Sequence, residues 1–221
     1  MLTDGTQMVS RLTELKDKKL AFIGDSITAD LKANYVTLTV DMLADVVDVR
    51  SLTIINSGLD SSSVPDALDR LPDLLVEHDP DIYVIFLGVN DSKILRSIDQ
   101  PLISAMMFEE CYSKLLAAID RKEVRRKILV TPPPLRYEEI KKGKLLRDYW
   151  YWTPEAYNEY VNIVKRLARQ PSCELADAYA SFEQSGEELA GLFLEDGVHP
   201  NIYGHRLIAE AVFEALSRLN F

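Results

Sequence analysis

The chain has 221 residues, 47% of them hydrophobic and 27% charged, with nine glycines and ten prolines; that is enough for one domain with a full core and is not the make-up of a disordered segment. Acidic residues number 35 against 25 basic ones, and the net charge of −10 repels phosphate backbones and anionic lipid, which argues against a binder of nucleic acid or membrane surfaces. Two cysteines, Cys111 and Cys173, cannot frame a small secreted fold, and neither has a second Cys or a His at metal-ligand spacing.

In chain order, residues 1–17 show no basic start followed by an apolar stretch, so no signal peptide is read there and the segment is expected to be a helical extension. The first aliphatic run, Leu20–Ala21–Phe22–Ile23, stops at Gly24. Leu31, Tyr35, Leu38 and Met42 then recur at three- and four-residue spacing, as on one amphipathic helix. Leu52–Thr53–Ile54–Ile55, ending near Gly58, reads as a second strand. Ser63–Val64–Pro65–Asp66 reads as the cap and first turn of a helix through Leu68, Leu71 and Leu75. Ile82 to Leu87, ending at Gly88, is apolar almost throughout, as a strand covered on both faces should be. The longest apolar run, Ile82 to Val89, falls far short of the roughly 18 residues a membrane span needs.

Phe108, Tyr112, Leu115 and Ile119 mark the next helix, and a fourth strand, Lys127–Ile128–Leu129–Val130, is stopped by Pro132–Pro133–Pro134. Tyr157, Tyr160, Val164 and Leu167 precede a weaker fifth strand, Cys173–Glu174–Leu175–Ala176. A last helix starts around Pro200 and runs through Ile202, Ile208, Val212 and Leu216. Five strands alternating with helices predict a parallel sheet with helices on both faces, a three-layer α/β/α sandwich, as a single domain over residues 1–221. Ligands of such sheets bind beyond the carboxyl ends of the strands.

The residues just after the strands are therefore the candidates. Gly24–Asp25–Ser26–Ile27–Thr28 places a serine between a strand and a helix start, where its hydroxyl projects from the sheet and its N–H is an unpaired helix donor; for an isolated Gly-Asp-Ser a plain helix cap is the commoner reading of the serine. Asn56–Ser57–Gly58–Leu59 and Gly88–Val89–Asn90–Asp91 offer a backbone N–H and an amide that could join the Ser26 N–H around one oxygen, although Gly and Asn are also routine turn residues. In Asp196–Gly197–Val198–His199–Pro200 the aspartate is three residues ahead of the histidine, close enough to hold its Nδ1 proton and leave Nε2 as a base. His78, at a helix end, reads as structural, and His205, on the apolar stripe of the last helix, reads as a core residue.

The four blocks FIGDSIT, NSGLDS, LGVNDS and EDGVHPN, in this order within residues 20–205, resemble those of the SGNH (GDSL-like) hydrolase superfamily, with Ile27 where the family name has Leu. The resemblance implies a flavodoxin-like sandwich with five parallel strands. It also implies Ser26 as nucleophile, His199 as general base, Asp196 as its orienting partner, and an oxyanion hole formed by Ser26, Gly58 and Asn90, with no cofactor and no metal. The expected activity is that of a cytoplasmic serine esterase acting on short carboxylic esters, such as acetyl esters of a carbohydrate or small metabolite, through an acyl-enzyme. A lysophospholipase- or thioesterase-type acylhydrolase is the alternative within the family.

Other classes fare less well. The order Ser…Asp…His is shared with α/β-hydrolases, but Thr28 stands where their G-x-S-x-G elbow has its final Gly. A flavodoxin-like nucleotide-binding module lacks a glycine-rich phosphate loop here. A metal-dependent phosphoesterase built on Asp25, Asp91, Asp196 and His199 leaves Gly58 and Asn90 without a role. The expected partner is a small ester, with no nucleic acid and no integral membrane segment, and a homo-oligomer is left open.

Two inserts remain. Residues 135–153 hold Tyr137, the basic run Lys141–Lys142–Gly143–Lys144, and Tyr149–Trp150–Tyr151–Trp152. Trp150 and Trp152 are candidates for substrate binding beside the cleft, against the alternative of packing on the next helix or in a subunit interface. Ser92 to Met107 is rich in Ile, Leu and Met and reads either as an apolar wall for the acyl group or as a buried helix.

Overall fold

The alternation of strand side chains decides the layering. In the computed structural model, which describes residues 4–30, 34–121, 123, 125–142 and 149–220, the five strands are β1 (Lys19–Gly24), β2 (Thr53–Gly58), β3 (Ile82–Phe86), β6 (Arg126–Val130) and β8 (Cys173–Ala176). They form one parallel sheet in the order β2-β1-β3-β6-β8. Leu20, Phe22, Val84, Phe86 and Ile128 point to one face, while Ala21, Ile23, Tyr83, Ile85 and Leu129 point to the other. Burial on both sides is why β3 is an unbroken apolar run.

On the first face lie α1 (Asp4–Thr13), α3 (Tyr35–Leu43) and α9 (Ile202–Arg218). Helix α9 packs on α1 and α3, and Leu12 and Leu15 are buried. On the second face, α4 (Val64–Glu77) packs on α5 (Ala105–Ile119), and α5 on α7 (Pro154–Leu167). These helices cover the apolar stripes read from the sequence. The expected three-layer α/β/α architecture is the one observed.

Several boundaries differ. The helix expected through Leu31, Tyr35, Leu38 and Met42 begins only at Tyr35, as α3, because Asn34 caps it by accepting the Thr37 N–H at 3.1 Å, and a separate short helix α2 (Ser26–Ala29) precedes it; Leu31 lies outside the described residues. The second strand starts at Thr53, one residue later than expected, and ends at Gly58 as expected, where β1 supplies its last parallel partner in the Gly24–Gly58 pair.

The insert after β3 is neither a buried helix nor a simple wall. It carries β4 (Ile94–Leu95) and β5 (Gln100–Pro101), and these join β7 (Trp150–Tyr151) of the other insert in a small antiparallel sheet ordered β5-β4-β7. Ile94 is buried, while Ile98, Met106 and Met107 are exposed. Helix α6 (Tyr137–Lys142) occupies the start of the second insert, where Lys141 pairs with Glu138; Gly143 and Lys144 of the basic run, and the Lys142 side chain, lie outside the described residues. The short helix α8 (Ala178–Gln184) follows β8. Among the described residues no helix is long and apolar enough to cross a membrane.

Candidate active site

Strand β1 ends at Gly24 and α2 begins at Ser26, so the serine stands at the carboxyl edge of the sheet on the first turn of a helix. Asp25 makes this turn: its buried carboxylate accepts the Ile27 N–H at 2.9 Å. Gly58 lies directly beneath, and a Cβ there would sit 2.4 Å from the Ala29 nitrogen and 2.6 Å from the Thr28 carbonyl carbon. Only a glycine lets β2 approach α2 this closely.

The histidine arrives from the opposite end of the chain. Asp196 Oδ1 accepts the N–H groups of Val198 (2.8 Å) and His199 (2.9 Å), which folds residues 196–199 into a tight turn ahead of α9. Asp196 Oδ2 is then 2.6 Å from His199 Nδ1, and His199 Nε2 is 2.9 Å from Ser26 Oγ. The hydrogen bond with Asp196 raises the His199 pKa above the ordinary 6.5 of imidazole, against the opposing pull of burial, with the charges of Asp196, Asp25 and Asp60 adding to the rise. Burial pushes the Asp196 carboxyl up, but the hydrogen bonds from His199 and Val198 outweigh it and hold the group below its usual value.

Ser26, Asn90 and His199 open into one cleft of about 250 Å³. Trp150 and Trp152 also line it, but differently: Trp150 is half-buried, whereas Trp152 is 7% exposed and donates its indole N–H to the Val89 carbonyl at 3.0 Å. Asp60, Ser61 and Lys93, none of them singled out by the sequence, complete the polar lining. An apolar groove of about 290 Å³ between α4 and α5 holds neither serine nor histidine.

Of the three expected oxyanion donors, the Ser26 N–H is at the start of α2 and has no intrahelical acceptor. Asn90 Nδ2 makes two long contacts, to Asp25 Oδ2 (3.3 Å) and to the Ser62 carbonyl (3.2 Å). The Gly58 N–H donates to Asn56 Oδ1 at 2.9 Å, and the same amide donates from Nδ2 to the Thr28 carbonyl at 2.8 Å. Asn56 thus clips β2 to α2.

Asp25, Asp91 and Asp196 serve separate partners. Asp25 binds Ile27 N–H and Asn90, Asp91 caps α4 by accepting the Val64 N–H at 2.9 Å, and Asp196 holds the histidine. Among the described residues no three His, Cys, Asp or Glu side chains gather as a metal-ligand set. Burial raises the Asp25 pKa to about 6 and the Asp91 pKa to about 7. His205 is a core residue: it is buried, accepts the Tyr35 N–H at Nδ1 (3.2 Å), and burial lowers its pKa to about 4. His78 caps the end of α4, beside Glu77.

A family model described as GDSL-like Lipase/Acylhydrolase family matches residues 22–207. An acetylxylan esterase from Geobacillus stearothermophilus is 25% identical over 210 residues, covering 88% of this chain and 91% of that protein. An arylesterase from Vibrio mimicus is 26% identical over 203 residues, covering 90% and 88%. Among solved structures, LAE5, an alpha/beta hydrolase enzyme from the metagenome of Lake Arreo in Spain, superposes with a TM-score of 0.71 at 25% identity, covering 92% of this chain and 97% of that one.

Proposed function

The chain belongs to the GDSL-like lipase/acylhydrolase family and is a carboxylic ester hydrolase; from that premise we propose that it removes short acyl groups, acetyl above all, from the hydroxyls of a carbohydrate or similar small molecule through an acyl-enzyme on Ser26. The observation that carries this reading is the run of contacts from Ser26 Oγ through the His199 ring to Asp196. His199 Nε2 takes the hydroxyl proton as Oγ attacks the acyl carbon, and Asp196 stabilises the imidazolium that forms. The tetrahedral oxyanion is met by the Ser26 N–H and by Asn90 Nδ2, whose long contacts to Asp25 and Ser62 leave it able to shift toward developing charge. The Gly58 N–H joins them once the Asn56 amide gives way. His199 then hands its proton to the leaving alcohol, and water repeats the sequence on the acyl-enzyme.

Cleft size supports a short acyl group. About 250 Å³ is below the roughly 300–1,000 Å³ of sites that enclose drug-sized ligands, and long acyl chains need more apolar wall. The acetylxylan esterase among the relatives is in line with an acetylated sugar as the alcohol side. Cys111 and Cys173 carry free thiols, which suits a reducing compartment, and we infer the cytoplasm.

A series of p-nitrophenyl esters from C2 to C12, run beside acetylated xylo-oligosaccharides and acyl-CoA, tests the proposal. Turnover is expected to be highest at C2 and to fall steeply by C8, with acetate released from the sugars. Ser26→Ala is expected to lose at least ~10⁴-fold in kcat and Asn90→Ala about 10²–10³-fold. Near-normal turnover by purified Ser26→Ala rejects the nucleophile, and a maximum at C8 or beyond rejects the substrate class.

A further inference from the structure

We propose that Lys93 is a positioning residue for this reaction: its ammonium fixes the Asn90 amide in the orientation that presents Nδ2 to the attacked carbonyl oxygen, and strengthens that donor. The proposal rests on the esterase reading above. Lys93 Nζ donates to Asn90 Oδ1 at 3.3 Å, while Nδ2 of the same amide faces Asp25 Oδ2 and the Ser62 carbonyl. The amide therefore lies between a cation and an anion, its oxygen toward the ammonium and its NH2 toward the carboxylate. Turned over, it would set NH2 against a group with no acceptor and its oxygen against two groups that donate nothing. One orientation is satisfied and the other is not.

Lys93 is itself held in place. It is only 8% exposed, its ammonium stands 4.9 Å from the centre of the Trp150 ring, and its carbonyl accepts the Leu102 N–H at 2.8 Å. Trp150 is the antiparallel partner of Leu95, so the small sheet joining the two inserts carries the ring, and Lys93 immediately precedes its strand β4. A charged donor on the amide oxygen polarises the amide and makes its N–H groups better donors. That gain is greatest where the acceptor carries most charge, which is the tetrahedral transition state and not the bound ester. Loss of Lys93 should accordingly appear in kcat and leave KM nearly untouched.

The test compares Ser26→Ala, Asn90→Ala, Lys93→Met, Lys93→Arg and the double variant Lys93→Met/Asn90→Ala on p-nitrophenyl acetate, with the melting temperature of each. Lys93→Met is expected to lower kcat about tenfold with KM within about twofold, and Lys93→Arg to recover at least roughly a third of wild-type kcat. In the Asn90→Ala background the same Lys93→Met change is expected to cost less than about twofold, because the lysine acts through that amide. A folded Lys93→Met with wild-type kcat, or an undiminished loss in the Asn90→Ala background, overturns the proposal. If Lys93→Met does not fold, Lys93→Gln is read in its place by the same criteria. An active Ser26→Ala overturns the esterase reading instead, whereas an inactive Ser26→Ala beside an indifferent Lys93→Met overturns only the role of Lys93.

Discussion

Ser26 Oγ and His199 Nε2 stand 2.9 Å apart although 173 residues separate them along the chain. The imidazole accepts from the hydroxyl only when neutral, and its pKa lies above the ordinary 6.5, chiefly through the Asp196 hydrogen bond. Activity is therefore lost as pH falls through that raised value, and the acid limb of kcat/KM is expected to have its midpoint above pH 6.5. Asp196→Asn removes the anion, so the limb moves to lower pH while kcat falls about 10²–10⁴-fold. A pH–rate profile of both proteins checks this, and a wild-type midpoint below pH 6 contradicts the geometry.

Much of this site was legible because each block obeys a local rule. Gly24, Gly58 and Gly88 close aliphatic runs, and the residues beside them fall at the carboxyl edge of a parallel sheet whatever the helices do. Asp196 and His199 are near neighbours, so their contact needs only a turn. The parts that were not legible depend on distant pairing. Strands β4 and β7 have two residues each and meet across more than fifty residues of chain, too little periodicity to announce themselves. Lys93 was hidden for the same reason: it is one of two cations in its insert, and the Trp150 ring beside its buried ammonium is brought there by the pairing of Leu95 with Trp150, 55 residues away in the chain. The grip of Asn56 on the Gly58 N–H is a side-chain conformation, which the letters Asn-Ser-Gly do not specify.

Gly58 has a steric duty separable from its N–H. Gly58→Ala keeps the donor but drives a methyl into the backbone of α2 at Thr28 and Ala29. Helix α2 must move or the sheet must open, and such overpacking costs about 1–3 kcal/mol. We expect kcat to fall at least ~tenfold and the melting temperature to drop by several degrees. Gly191→Ala, where a Cβ meets nothing within 4 Å, serves as the control. Unchanged kcat in Gly58→Ala would show that α2 does not depend on this contact.

The two tryptophans should separate in experiment. Trp152 is almost fully covered and bonded to the Val89 carbonyl, so Trp152→Ala is expected to cost about 3–5 kcal/mol of stability. Trp150 is half-buried at the cleft, where its ring can meet a sugar face. Trp150→Ala is expected to raise KM for an acetylated xylo-oligosaccharide about fivefold or more, at a contact typically worth ~1 kcal/mol, with a smaller change for p-nitrophenyl acetate. Equal effects on both substrates would remove the sugar-stacking role.

Asp91 links the site to stability. Its Oδ1 caps α4 at the Val64 N–H, but its buried Oδ2 has no hydrogen-bond partner among the described residues, and burial raises the pKa from 3.8 to about 7. Between those two values the folded protein keeps the proton while the unfolded chain releases it. Stability is therefore fully present below about pH 4 and is lost as pH rises toward 7, by an amount on the order of a few kcal/mol for this group. Asp91→Asn retains the capping oxygen and cannot ionise. Its melting temperature is expected to exceed that of wild type at pH 8, and the advantage should shrink to near zero at pH 4.5. Differential scanning calorimetry at the two pH values decides: a difference that does not depend on pH means the Asp91 carboxyl ionises normally inside the fold.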